Sequence, residues 1–204
     1  MFFIEYWYFT LALIATIILT LFVMSKAGKA IRLNNIEKEK LIAMLEHEKE
    51  LREAFKTLDS KTFSITDNER LVEGVAMNIH MSIEKVADID NAFSSLPKPK
   101  RYVYALETLL SECEENPLQF FFDKFVNPLT PNALEGAKEI IGGEFAKLVE
   151  NDYRAFDSEN DEISLIKSEI EKNDEKFSSL LKNDKDKIYK LISTYIIENQ
   201  NDFV

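Results

Sequence analysis

Metal, acid–base and nucleophilic chemistry near neutral pH falls most often to histidine and cysteine. This chain has two of the first, His47 and His80, and one of the second, Cys113. A di-iron carboxylate site needs Glu-x-x-His pairs on two helices. Here the residue three before each histidine is a methionine, Met44 and Met77. Cys113 has no second cysteine to pair with, and its place in an apolar helical stripe marks it as a core residue rather than a nucleophile. No phosphate loop, nucleophile elbow or zinc spacing occurs. The expectation is a chain without catalytic residues, metal ligands or cofactor, and therefore not an enzyme.

Carboxylates are the remaining polar signal. There are 36 Asp/Glu against 25 Lys/Arg, for a net charge of -11. Residues 1–65 hold nine basic and eight acidic side chains, whereas residues 66–204 hold 16 and 28. Such a domain repels nucleic-acid phosphates, so direct nucleic-acid binding is not expected, and a basic protein is the partner its charge suits. The candidate acidic surface is Glu112, Glu114, Glu115 and Asp123, followed by Glu150, Asp152, Asp157, Glu159, Asp161 and Glu162.

What must position these groups is helical. Leu, Ile, Glu, Lys and Ala dominate, and β-branched alternation is scarce. From Tyr6 to Ser25 there is no charge. Twenty helical residues rise roughly 30 Å, the thickness of bilayer hydrocarbon. Tyr6, Trp7 and Tyr8 suit one headgroup region, and Lys26, Lys29 and Arg32 follow the other end. The expected location is a bacterial inner membrane, crossed once, with the N-terminus outside and the C-terminal domain in the cytoplasm. The fold class expected is all-α: an anchor over 1–25, a charged juxtamembrane helix within 26–62, and an acidic bundle of six or seven helices over 63–204.

Within the bundle, "TDNE" at Thr66–Glu69 has the form of a capping box with Thr66 at the N-cap. Behind it Leu71, Val75, Ile79, Ile83 and Val86 form one stripe, stopped by Pro97 and Pro99. Val103, Leu106, Leu110 and Cys113 mark the next helix. Thr130 and Pro131 read as the N-cap and first residue of another, which Gly142-Gly143 breaks. Phe145, Val149, Tyr153 and Phe156 then face inward. Two tail helices follow, the first marked by Ile163, Ile166 and Ile170, with a break near Asn173 or Asn183.

The stretch "ECEENPLQFFFDKFVNP" sets four phenylalanines among four carboxylates. Burial stabilises such rings by roughly 1.5–3 kcal/mol each. Phe120, Phe121 and Phe125 are expected inside, with Gln119 tying the corner by backbone hydrogen bonds. With Gln119-Phe120-Phe121 and the later Gly142-Gly143 break, residues 66–157 resemble the DNA-mimic protein family. The resemblance implies an all-α domain, often dimeric and without catalysis, whose carboxylates stand in for DNA phosphates towards a DNA-binding protein. The functional expectation is thus a membrane-anchored, non-enzymatic interaction protein that binds a basic partner. The alternative is an assembly component that meets another inner-membrane protein through its helical face.

Overall fold

The structure is a computed structural model that describes residues 35–36, 38–125, 127–156 and 163–204. The expected membrane span, residues 6–25, and four of the candidate acidic residues (Asp157, Glu159, Asp161 and Glu162) lie outside the described residues. Among the described residues no helix is long and apolar enough to cross a membrane. Every element among them is a helix, so the all-α class holds.

The chain divides into two compact units, Met1–Glu50 and Leu51–Val204. In the first, residues 38–50 are helical, and Leu41, Ile42, Met44 and Leu45 stand in solvent, 55–69% exposed. This helix, α1 over residues 38–54, ends inside the second unit, where Leu51, Phe55 and Leu58 are core residues.

The second unit adds α2 (Asn68–Ile83), α3 (Ile89–Ser94), α4 (Lys98–Cys113), α5 (Leu118–Lys124), α6 (Leu129–Gly136), α7 (Gly143–Phe156), α8 (Ile163–Glu198) and α9 (Gln200–Phe203). The short helices α3, α5 and α9 raise the number above the six or seven expected. Short helices carry less than two turns of periodicity, too little to read from pattern alone.

The α2 stripe is buried at Leu71, Val75, Ile79 and Ile83, and α4 buries Val103, Leu106, Leu110 and Cys113. Val86 lies beyond the end of α2 and is 45% exposed. The cap of α2 is Asp67, one residue later than expected: its carboxylate accepts from the Arg70 N–H at 3.1 Å. Pro97 and Pro99 open α4 rather than simply ending a helix, because a first-turn N–H has no intrahelical acceptor to lose. Thr130 is not an N-cap. It is buried, and its hydroxyl and its N–H both donate to the Phe125 carbonyl, which sets α6 starting at Leu129.

Two close approaches fix the packing of α2 and α6. A methyl at Gly74 would stand 2.2 Å from the Phe55 ring, and one at Gly136 would meet Leu106 at 3.2 Å. The break before α7 is as expected. A π-helical turn, Ala137–Ile141, closes with the Gly142 N–H donating to Ala137 at 2.7 Å, and Gly142 and Gly143 both take positive φ, 65° and 60°. The tail, α8, is two helical stretches joined across a kink at Asp184, where the backbone is non-helical, directly after Asn183, the second of the two expected break points.

Candidate functional site

Packing of α4 on α2, and of α8 on α2, brings distant carboxylates together. Glu69 and Glu73 share one face of α2, being four residues apart, and Glu107 and Glu114 share one face of α4. Lys185 of α8 lies between the two helices. Its Nζ donates to Glu69 at 2.8 Å and to Glu114 at 2.6 Å. Burial works against the ammonium charge, yet these two bonds outweigh it and raise the proton affinity of Lys185.

Glu107 has no such relief. Burial first, then the charges of Glu73, Glu114 and Glu112, push its carboxyl up to about 8. Tyr189, buried beside this face, is raised by burial and by the same carboxylates, Glu107 foremost. Glu73, Glu112 and Glu114 thus crowd Glu107, and their grouped charge makes this face attractive to a cation.

The α4–α5 corner forms the neighbouring edge. Lys124 donates to Glu112 at 2.5 Å and lies over the rings of Phe120 and Phe125, at 5.5 and 4.9 Å from their centroids. Phe120 is 42% exposed, contrary to expectation, and Phe122 takes the interior place beside Phe121. Leu118, Phe121 and Phe122 fall at i, i+3 and i+4 of α5, so they share its inner face and Phe120 cannot join them. Phe125 packs part-buried against the core. The corner is tied by Asp174 of α8, whose Oδ1 accepts from the Leu118 N–H at 2.9 Å, a role expected of Gln119.

Between this corner and α8 an open cleft of about 570 Å³ is lined by Cys113–Leu118 on one side and by Asp174, Ser178 and Lys182 on the other. Cys113 is buried, and burial pushes its thiol up to about 12, so it carries no thiolate chemistry.

The other candidate acidic residues separate by environment. Glu114, Glu115 and Asp123 are exposed. Glu150 is half-buried and held by Lys138 at 3.1 Å and Arg154 at 2.6 Å, whose bonds keep its carboxyl below the usual range. Asp152 is not on the surface at all: it is 0% exposed, directed inward from α7. Its spacing from Phe145 and Val149, seven and three residues, puts it on the apolar face of that helix.

His80 bonds the Tyr104 hydroxyl through Nδ1 at 3.0 Å and faces Glu84 through Nε2 at 3.4 Å, and Glu84 in turn receives both terminal nitrogens of Arg52. Among the described residues no group of three or more His, Cys, Asp or Glu is arranged to hold a metal ion. Glu73 and Glu107 went unread in the sequence, where each is one more charge on the polar side of an amphipathic helix, and Glu69 was read only as the closing carboxylate of a capping box. No known family model matches this chain, no curated protein matches it, and no solved structure matches it.

Proposed function

We propose that this chain is a membrane-tethered, non-enzymatic interaction protein whose acidic helical domain binds a basic segment of another protein. The observation that carries this reading is the grouping of carboxylates from two helices: Glu69 and Glu114 meet at Lys185, and Glu73 and Glu114 face Glu107, whose carboxyl is raised to about 8 by burial and then by these charges. An arginine or lysine from a partner is drawn to these grouped carboxylates, and charge-assisted bonds to them give it orientation. The uncharged run Tyr6–Ser25 and the basic residues after it support a tether that holds the domain at the cytoplasmic face of the inner membrane.

Imitation of DNA, as in the family that residues 66–157 resemble, is the narrower form of the proposal. Several carboxylates of the face are already paired to lysines, Glu112 with Lys124 and Glu114 with Lys185. That pairing favours recognition of a basic protein segment over copying two phosphate rows. A second reading, assembly with another membrane protein, draws on the exposed Leu41, Ile42, Met44 and Leu45 of α1.

The test is titration of the full chain, in detergent, with an arginine-rich helical peptide. The triple variant Glu69→Gln, Glu73→Gln, Glu107→Gln is expected to weaken binding by about tenfold or more. A control variant with the same number of substitutions at exposed positions, Glu53→Gln, Asp90→Asn, Asp202→Asn, which removes at least as much charge, is expected to change it by less than about twofold. Equal effects from the two variants remove the face from the reading. Displacement of the chain from a captured basic partner by duplex DNA would restore the narrower, mimic form.

A further inference from the structure

Asp152 and Asp174 bring two carboxyl groups together at the junction of α5, α7 and α8. Asp152 is 0% exposed, and among the described residues neither of its oxygens is in hydrogen-bonding geometry with a partner, although the facing Asn173 side chain favours its charged form. An ionised carboxylate only accepts, so two ionised carboxylates side by side cannot satisfy one another. A buried carboxylate left in that state costs several kcal/mol. One proton resolves the conflict, since a protonated carboxyl donates an O–H to its neighbour.

We propose that Asp152 and Asp174 hold a single proton between them, and that this shared proton is the clasp that keeps α5 and α8 seated against α7. Geometry assigns the two roles. Asp174 Oδ1 already accepts from the Leu118 N–H at 2.9 Å, and Asp174 is half-buried on the wall of the cleft, so it is the better home for the negative charge. Asp152, wholly enclosed, is the better home for the proton and donates it towards Asp174.

The groups facing the pair come from every helix at the junction. They are the Asn173 side chain of α8, which faces Asp152 and favours its charged form, the Leu118 N–H of α5, which bonds Asp174, and the Cys113 thiol of α4, which faces both aspartates and Glu112. Among the described residues none of these groups is a cation, so a proton supplies the positive charge the pair lacks. Burial and the facing Asp174 push the Asp152 carboxyl up to about 7, in keeping with a proton retained to neutrality.

Because Asp174 also lines the cleft, the clasp joins that opening to pH. Below neutrality the corner is bonded shut through Leu118, Asp174 and Asp152. Above it the pair carries two charges, and the seat of α8 against α5 and α7 loosens. A carboxyl whose pKa is higher folded than unfolded binds more protons in the folded state. Stability therefore falls as pH rises from the unfolded value of 3.8 through about 7.

The clasp is independent of any partner, so the test reads folding and not binding. Denaturant unfolding of the full chain is followed from pH 5.5 to pH 8, beside Asp152→Asn, whose amide donates to Asp174 at every pH. The folded-to-unfolded ratio of the parent chain is expected to fall by about tenfold or more relative to the variant across that interval. Parallel profiles overturn the proposal. If Asp152→Asn does not fold, carbon-detected NMR of labelled aspartate carboxyls in the parent chain decides. One carboxyl titrating near neutrality, together with a shift of the Leu118 amide, supports the clasp, and titration of every aspartate below pH 5 overturns it.

Discussion

Two places in this domain crowd like charges, and they resolve the conflict in opposite ways. On the α2–α4–α8 face, Glu69 and Glu114 keep access to water and are relieved by the Lys185 ammonium between them. At the α5–α7–α8 junction, Asp152 is wholly enclosed and among the described residues no lysine or arginine bonds it, so the relief we propose is a proton. The difference follows from desolvation. A charge in contact with water is cheap to keep and is available to a partner, whereas one cut off from water is neutralised by the cheapest ion that fits. An exposed acidic cluster is thus a surface for recognition, and a buried one is part of the fold.

The strongest way to break the contrast is to open the junction. Phe121 is 0% exposed and packs on Phe122 and Phe125, with ring centroids 5.9 and 5.3 Å away. Phe121→Ala is expected to cost about 3–5 kcal/mol in denaturant unfolding. Water admitted there should also lower the Asp152 carboxyl towards the ordinary range, a shift visible by NMR. A loss below about 1 kcal/mol would mean that the corner is not core.

Glu107 sharpens the contrast, because it lies between the two regimes. Its carboxyl is raised to about 8 from a usual 4.5, so the folded state holds the proton more tightly, and stability falls as pH rises between those values. Glu107→Gln removes that dependence. Thermal unfolding should show the variant gaining up to about 4 kcal/mol on the parent chain between pH 5 and pH 9. No gain at high pH would mean that Glu107 is solvated like its neighbours.

Lys185→Met gives the smallest effect. Its side chain is 39% exposed, so water screens the two ion pairs, and a loss of about 0.5–1 kcal/mol that shrinks in high salt is expected. A loss of several kcal/mol would show the face to be as dry as the junction.

Much of the scaffold was legible in the residues. The stripes of α2 and α4, the break at Gly142-Gly143 and the interruption after Asn183 follow from helical period and from the backbone each residue tolerates. Less legible was which of two polar neighbours caps a helix. Thr66 and Asp67 both suit the role, and the position of the Arg70 N–H selects Asp67. Thr130 resembles a cap by type, but tertiary contact with the Phe125 carbonyl claims its hydroxyl. Two errors had a readable remedy: helical spacing already sets Phe122, not Phe120, beside Phe121, and sets Asp152 in line with Val149.

The order of residues by itself determined an acidic, all-helical domain and the apolar faces it would bury, because period, caps and breakers act within a turn or two of the chain. Only the tertiary structure decided what the carboxylates do. Whether a carboxylate meets a lysine, another carboxylate or water depends on helices from distant parts of the sequence. Glu69 meets Lys185 and Asp152 meets Asp174 only after α8 has packed. Charge is written locally, but the solvent and neighbours that give it a role are set by packing.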